Sequence, residues 1–156
     1  MKKKSNNIIG ITGEYYVCAE LGKRGILALL TPKNNPLFDI VAISPDASKT
    51  IAIQVKTMSE HNKQGWKLGI DICKEKNNPQ LFTILVNLTE SEIEYYIYEY
   101  DILSKKVQSA YNKYIETPKK DGGKRKDIAF RWWDFKVFAD DDYQRKNRWD
   151  LLGFNL

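Results

Sequence analysis

The stretch Phe38–Thr57, which reads FDIVAISPDASKTIAIQVKT, decides the fold that the sequence predicts. Two β-rich runs, FDIVAIS and TIAIQVKT, are joined by PDASK, whose proline, aspartate and serine are common turn residues. We therefore expect a β-hairpin with a short polar turn.

The second strand of this hairpin carries polar residues in an unusual place. Alternate residues of a strand point to one face, so Gln54 and Lys56 share a face while Ile53 and Val55 occupy the other. A Gln and a Lys on an apolar strand are costly if that face is buried and they are unpaired. Asp39 opens the partner strand, so the hairpin could bring its carboxylate beside them. Oxygen ligands plus an amine suit a divalent cation and an activated water, which predicts a metal-dependent nuclease site.

A helix is expected before the hairpin, over Ile8–Gly25, with Thr12 as its N-cap and its final glycine as the stop. Glu14 precedes Cys18 by four residues and Leu21 by seven, so it lies on the apolar, inward stripe. The ordinary interpretation is a carboxylate favoured by the helix dipole. Its inward position keeps a functional role open.

The order of the remaining elements predicts an α/β fold around a mixed β-sheet, after a frayed, basic start at Met1–Asn7. The expected elements are a short buried strand at Ile26–Leu30, a loop at Thr31–Leu37, a strand or helix start at Trp66–Ile72, a fully buried strand at Leu81–Leu88, a strand at Glu94–Ile102, a helix at Lys105–Ile115 capped by Ser104, and an exposed loop at Thr117–Lys126.

Length and composition suit a single globular domain over residues 1–156. Lys and Arg outnumber Asp and Glu by 25 to 20, and the resulting charge of +5 suits a polyanionic partner, although many ordinary proteins share it. Cys18 and Cys73 are isolated, which argues against zinc and fits a reducing cytosol. No apolar run could form a signal sequence or span a bilayer. We expect a soluble, cytoplasmic protein without a membrane partner.

Taken in order, the inward Glu14, then Asp39, then Gln54 and Lys56 resemble the pattern of the PD-(D/E)XK nuclease superfamily. The pattern is most similar to the Mrr-like restriction endonucleases and the archaeal-type Holliday junction resolvases. In those families a Glu precedes the Gly that ends the first helix, an Asp opens the second core strand, and the third strand ends in ExK or QxK. The resemblance implies a restriction-endonuclease-like core, a central mixed β-sheet flanked by helices, and a DNA endonuclease of repair, recombination or restriction.

The resemblance covers roughly residues 13–57 and departs from the commonest pattern at Gln54, where most members have Glu or Asp. The Mrr-like group has Gln at this place. A Gln carbonyl can ligate Mg²⁺ but adds no negative charge, so metal affinity would depend more on Asp39 and Glu14. Phe38 stands directly before Asp39, where the superfamily often has Pro. That Pro is frequently missing in members of the superfamily.

The resemblance also implies roles for the site residues. Asp39 would be the central ligand of Mg²⁺ or Mn²⁺, with Gln54 and the backbone carbonyl of Val55 as further ligands. Glu14 would bind the metal directly or through a water. Lys56 would orient and help deprotonate the attacking water, or stabilise the transition state. Phosphodiester hydrolysis needs both a lowered water pKa and positive charge where negative charge develops.

The densest group of cations lies in the expected loop after the last predicted helix. Given a nuclease, these residues are candidates for phosphate contacts, and the ordinary alternative is a solvated loop. Cutting a duplex or a junction needs two cleavage events, which favours a homodimer. The candidate nucleic-acid-binding residues are Lys119, Lys120, Lys124, Arg125 and Lys126.

Other residues carry weaker signals. His61, the only histidine, is expected to be solvated, and Asp140–Asp142 is expected to be a helix start favoured by the dipole. Trp132, Trp133 and Trp149 are expected to pack in the core or a lid, with base stacking as the less favoured role. Three residues that follow the site strand could approach the scissile phosphate: Gln64, Trp66 and Lys67.

Two other functions remain open from the sequence. One is an inactive DNA-binding or accessory module of the same fold. The other is a small protein-interaction domain in which Asp39 pairs with Lys56 and Gln54 is an incidental polar residue on an edge strand. Metal-dependent cleavage of DNA separates the endonuclease from both.

Overall fold

The computed structural model of the protein describes residues 5–32, 35–58 and 62–155. Within these ranges, three α-helices and seven strands form a five-stranded mixed sheet, a small two-stranded sheet and flanking helices. The helices are α1 (Asn6–Lys23), α2 (Tyr100–Glu116) and α3 (Asp140–Tyr143). The strands are β1 (Leu27–Leu30), β2 (Ile40–Ile43), β3 (Thr50–Met58), β4 (Gly65–Gly69), β5 (Leu81–Asn87), β6 (Glu94–Glu99) and β7 (Phe130–Asp134).

The predicted hairpin is formed by β2 and β3, which pair antiparallel with Ile40 opposite Ile53 and Ile43 opposite Thr50. The turn between them is closed by Asp46, whose carboxylate accepts hydrogen bonds from the Ser44 hydroxyl and from the hydroxyl and backbone N–H of Ser48. An aspartate that bonds the backbone two residues on is a standard way to hold a turn. The hairpin prediction is confirmed.

The main sheet has the strand order β1-β2-β3-β5-β6, and among the described strands only the β3–β5 pair is parallel. Every residue of β5 is buried, as its continuous apolar run predicts for a strand covered on both faces. Val17 and Leu21 of α1 pack on one face of the sheet with Ile53, while α2 packs on the other face. The predicted α/β fold with a mixed sheet and flanking helices is confirmed.

Helix α1 begins earlier than the sequence predicts. The Ser5 side chain accepts a hydrogen bond from the Ile8 N–H, so Ser5 is the N-cap. The Thr12 hydroxyl instead donates to the Ile8 carbonyl within the helix, so the Thr12 prediction is wrong. Ser5 and residues 6 and 7 of the first turn therefore belong to the helix start and are not frayed, and residues 1–4 of the expected frayed start lie outside the described residues. Gly25 takes φ +77° just after the helix, as predicted for its stop, because glycine adopts this conformation without steric cost.

Two other boundaries differ from expectation. The strand at Leu27–Leu30 is an edge strand with exposed leucines and is not buried, because β2 is its one neighbour in the described part of the sheet. The β6 strand ends at Glu99, and α2 starts at once at Tyr100. Ser104 is therefore a buried residue inside α2 and not its cap. No glycine or proline separates β6 from α2, which hid this boundary.

The small second sheet was not predicted. Strands β4 and β7 pair antiparallel, with Trp66 opposite Trp133 and Lys67 opposite Trp132. Trp66 is buried, its ring lies edge-on to Tyr96 at 5.6 Å, and its indole N–H donates to the Val86 carbonyl. Trp66 therefore belongs to the core that α2 covers, and the suggestion that it approaches a scissile phosphate is wrong.

Helix α1 comes close to β3 at one glycine. A Cβ on Gly13 would lie 2.0 Å from the Thr57 hydroxyl oxygen and 3.1 Å from its Cβ. The Thr57 hydroxyl is buried and has no hydrogen-bond partner among the described residues, so it already sits against the helix. Only glycine fits here, and the residue that follows it is Glu14. Close packing at Gly13 thus sets how near Glu14 lies to the sheet.

Gly13→Ala is expected to destabilise the protein by about 1–3 kcal/mol, because the added methyl overpacks a rigid contact with a β-branched side chain. Urea unfolding followed by tryptophan fluorescence measures the change. Gly10→Ala on the same helix is the matched control, since a methyl group added there would have nothing within 4 Å. It should be stabilising by roughly 0.5–1 kcal/mol through helix propensity. Equal effects of the two substitutions would contradict the close approach.

Candidate active site

The central feature of the candidate site is a bond between Asp39 and the backbone of β3. Asp39 Oδ2 accepts a 2.7 Å hydrogen bond from the N–H of Val55, the residue between Gln54 and Lys56. The Asp39 N–H donates to the carbonyl of Ile53, two residues before Val55 on the same edge of β3, at 2.9 Å. Strand β2 begins only at Ile40, so the carboxylate replaces the backbone acceptor that β2 does not supply. The hairpin therefore holds the Asp39 carboxylate against the backbone of Val55, the central residue of the QVK segment.

The Val55 carbonyl lies on the same side of β3 as its N–H, because the two groups of one residue in an extended strand point the same way. It therefore points past the start of β2, toward the side occupied by Asp39. The Gln54 amide nitrogen donates to the Leu37 carbonyl at 3.3 Å, which ties β3 to the segment that leads into Asp39. A glutamate could not make this bond. The Gln54 Oε1 has no hydrogen-bond partner among the described residues.

Glu14 and Asp39 line one cleft of about 320 Å³ between α1 and the segment that leads into β2. Glu14 is half-buried, as its place on the inward stripe predicts. Its charge reaches Cys18 one turn later, where burial first and the Glu14 carboxylate second raise the pKa of the thiol. Two carboxylates from distant parts of the sequence thus meet in one solvent-accessible space.

Lys56 and Gln54 lie on the other face of β3 from the buried Ile53 and Val55, as their alternation predicts. Neither residue lines the cleft that Glu14 and Asp39 share, within the ranges the structure describes. Lys56 is half-buried, and no described residue forms an ion pair or hydrogen bond with its amine. The Asp39–Lys56 ion pair proposed for an interaction domain is therefore wrong. The structure thus brings Glu14 and Asp39 together, whereas Gln54 and Lys56 follow on β3 outside their cleft.

The oxygen atoms at this strand end suit a hard divalent cation. The described residues contain no cluster of three or more His, Cys, Asp and Glu side chains. Glu14 and Asp39 would therefore supply the negative charge, and the Val55 carbonyl and Gln54 Oε1 neutral oxygens. Carboxylate, carbonyl and water ligands are the set that Mg²⁺ and Mn²⁺ prefer. The donors present fit such an ion, while its binding stays a prediction.

Four polar residues of the cleft were not predicted as part of a site: Asn6, Asn7, Thr31 and Asn35. Asn7 lies seven residues before Glu14, two helical turns away on the same face of α1. The Thr31 hydroxyl donates to the Phe38 carbonyl at 2.9 Å and so holds the segment before Asp39. Asn6 and Asn35 complete the polar lining. Helical spacing counted back from Glu14 could have found Asn7, whereas nothing in the sequence pattern marks Thr31 or Asn35.

The predicted basic loop is largely exposed, as expected, and follows α2. Lys119, Lys120, Lys124 and Lys126 are exposed. Arg125 is different, because its guanidinium lies 4.3 Å over the Tyr114 ring and its Nε donates to the Thr117 carbonyl. Arg125 thus anchors the loop to α2, while the lysines reach solvent.

Other residues singled out in the sequence have structural roles or lie elsewhere. Asp140–Asp142 begins α3, as predicted, and the buried Asp142 accepts a hydrogen bond from the Tyr98 hydroxyl and pairs with Lys106. Trp133 and Trp149 are buried, as expected, but Trp132 is exposed. His61 lies outside the described residues.

No protein-family model and no curated protein matches this sequence. The fold is nevertheless similar to those of solved nucleases. The Holliday junction resolvase Hjc of the archaeal hyperthermophile Archaeoglobus fulgidus matches with a TM-score of 0.50 and 16% identity, over 94% of this chain and 98% of that chain. The bacterial homing endonuclease I-Ssp6803I matches with a TM-score of 0.50 and 13% identity, over 65% of this chain and 74% of that chain.

These similarities confirm the predicted fold: the chain has a restriction-endonuclease-like fold, with a mixed sheet flanked by helices. At such low identities the likeness shows the fold alone. None of the described helices has the length and apolarity that a bilayer-spanning helix needs. The metal ion, the homodimer and the cytoplasmic location stay predictions.

Asp39→Ala and Asp39→Asn are expected to differ in stability. Alanine leaves the buried Val55 N–H without an acceptor, which should cost about 1–3 kcal/mol. Asparagine keeps an oxygen for that N–H and should retain most of the stability while removing the charge. Urea unfolding of the two variants and the wild type measures the difference. Equal destabilisation by both substitutions would show that the hydrogen bond to Val55 does not hold this strand end.

Proposed function

We propose that this chain is a metal-dependent DNA endonuclease that hydrolyses phosphodiester bonds. The observation that carries the proposal is the Asp39 carboxylate held on the Val55 N–H, between Gln54 and Lys56, in a cleft shared with Glu14. The fold similarity to two nucleases supports it. DNA repair, recombination and restriction all fit this chemistry.

The chain's own residues would divide the work as follows. Asp39 uses Oδ2 to accept from the Val55 N–H, while Oδ1 has no partner among the described residues and can bind a cation from a fixed position. Glu14 adds a second negative charge from α1. Mg²⁺ or Mn²⁺, when bound, supplies positive charge that lowers the pKa of water and offsets charge on the phosphate.

Lys56 would act on the phosphate and the attacking water. Its amine, without a partner among the described side chains, is available to donate hydrogen bonds and to face developing negative charge. Gln54 is held in place by its bond to the Leu37 carbonyl and can offer Oε1 as a neutral ligand. A neutral ligand at this position leaves the site with two carboxylates, which is enough for a cation that keeps several waters.

DNA is the proposed partner, and the exposed lysines of the basic loop are the proposed phosphate contacts. Because Arg125 anchors this loop to α2, the four lysines extend from a fixed base. The edge strand β1 offers a surface for the proposed homodimer, since Leu27 and Leu29 are 54% and 47% exposed on a strand edge that no other described strand covers.

An inactive DNA-binding module of the same fold is the second candidate. The observation that favours it is the hydrogen bond from the Gln54 amide to the Leu37 carbonyl, a structural role that needs no metal. Such a module would bind DNA through the same basic loop and would leave the DNA uncut.

Supercoiled plasmid and branched DNA, each incubated with Mg²⁺, with Mn²⁺ and with chelator, test the proposal. The wild type should cut only with metal, and Asp39→Asn and Lys56→Ala should each lower the rate by roughly 10²- to 10³-fold. Asp71→Asn and Lys74→Ala are matched controls, because this exposed pair lies on the turn after β4. They should cut at the wild-type rate.

Each other outcome of the cleavage assay identifies another function. Salt-sensitive DNA binding without metal-dependent cleavage would support the inactive module. If the protein neither binds nor cuts DNA, a protein-interaction domain is the remaining interpretation. Cleavage that persists in chelator would contradict the proposed chemistry.

Replacing Lys119, Lys120, Lys124 and Lys126 together by Ala should weaken DNA binding and flatten its salt dependence. Each lost phosphate contact should reduce the slope of log affinity against log salt by about 0.9 on duplex DNA. Binding measured by fluorescence anisotropy at several salt concentrations gives this slope. An unchanged slope would show that the loop does not contact phosphates.

A further inference from the structure

A second cavity, of about 350 Å³, is lined mainly by residues of α2 and of β7. Four aromatic rings of the described residues line it: Tyr111 and Tyr114 from α2, and Phe130 and Trp132 from β7. Its size falls in the range of about 300–1,000 Å³ typical of small-ligand sites. We call it the aromatic pocket. Its described lining shares no residue with the cleft of Glu14 and Asp39.

Cations already lie against three of the four rings. Lys67 Nζ lies 4.1 Å from the centre of the Phe130 ring, and the Arg125 and Arg131 guanidinium carbons lie 4.3 Å and 3.4 Å from the centres of Tyr114 and Tyr111. Such contacts are attractive because the ring face is negative. Three cations therefore lie beside the aromatic pocket. Asp134 is the one charged residue of its described lining, and its Oδ1 accepts a hydrogen bond from the Lys136 N–H.

Trp132 is the exception among these rings. No described cation lies over its indole, and its ring is perpendicular to that of Phe130, at 87°. Trp132 is 38% exposed, whereas the other three tryptophans of the chain are at most 4% exposed. The alternation of β7 explains this, since Arg131 and Trp133 point inward and Trp132 points outward. A large ring held on a strand with an open face is suited to stacking.

The basic loop adjoins this pocket. Arg125 of the loop lies over Tyr114, a lining residue, so the loop lysines start next to the pocket rim. The carboxylate of Asp127 accepts a hydrogen bond from the Tyr111 hydroxyl and lies 3.6 Å from Arg131, so its charge is offset. The surroundings therefore favour a flat aromatic ligand that carries negative charge beside it.

We propose that the aromatic pocket binds an unpaired nucleobase of single-stranded DNA, stacked on Trp132, with the flanking phosphates on the lysines of the basic loop. This inference rests on the proposed function in taking DNA as the partner. A paired base is stacked within its duplex and cannot enter, so the pocket selects DNA with single-stranded or gapped segments. Base–aromatic stacking tolerates any sequence, because every base has a π-face.

The test is binding of a fluorescein-labelled oligothymidylate of about 15 nucleotides, in chelator so that no strand is cut. Trp132→Ala should weaken its affinity by roughly 5- to 100-fold, and Trp132→Phe by much less. Neither variant changes a charge, so the salt slope should stay that of the wild type. Tyr16→Ala on α1, a residue with similar exposure of 42%, is the matched control and should bind normally.

Intrinsic fluorescence gives a second readout that does not depend on affinity. The oligonucleotide should quench wild-type tryptophan fluorescence, and Trp132→Phe should lose most of the quenching because the three remaining tryptophans are buried. Affinity unchanged in Trp132→Ala, absent binding of the oligonucleotide, or equal losses for single-stranded and duplex DNA would overturn the proposal. Thymidine monophosphate binding as tightly as the oligonucleotide would overturn it too, in favour of a free-nucleotide site.

Two combined results separate the aromatic pocket from the proposed endonuclease. Trp132→Ala that still cuts duplex plasmid with Mg²⁺ and binds single strands normally would reject the pocket and keep the endonuclease. Trp132-dependent binding of single strands without metal-dependent cleavage would keep the pocket and reject the endonuclease.

Discussion

The candidate site depends on one hydrogen bond, from the Val55 N–H to the Asp39 carboxylate at 2.7 Å. Strand β2 starts too late to pair with Val55, and a buried strand N–H without an acceptor is costly. Asp39 provides that acceptor with its side chain. The same contact therefore completes the edge of β3 and fixes the direction of a carboxylate, so the fold and the proposed chemistry share one interaction.

The helix completes the arrangement through a steric condition. Gly13 lets α1 approach Thr57 at the end of β3, and the next residue, Glu14, then reaches the cleft that Asp39 lines. Close packing of the backbone thus brings a charged side chain toward the strand end. Glu14, Asp39 and the Val55 N–H come together because a helix, a strand start and a strand end coincide, so this part of the arrangement depends on few positions of the sequence.

Much of this could be predicted from the sequence, because the patterns concerned are local. Alternation in TIAIQVKT predicted the two faces of β3, and the helical spacing of Glu14 placed it inward. Contacts between distant segments could not be predicted in this way. The β4–β7 pairing joins residues about 65 positions apart, and each strand has only five residues. The leucines of β1 read in the sequence like those of a buried strand. They are exposed because β1 is at the edge of the sheet, which depends on the pairing of distant strands.

Glu14, Asp39 and the Val55 carbonyl are expected to form one cation site at the end of β3. A crystal structure of the protein soaked in Mn²⁺, with anomalous scattering recorded at the manganese edge, tests this most directly. We predict an anomalous peak in the cleft, bound by an Asp39 carboxylate oxygen, with Glu14 as a direct or water-mediated ligand. A cleft without manganese at saturating concentration, or manganese bound only at acidic groups elsewhere on the surface, would contradict the proposed site.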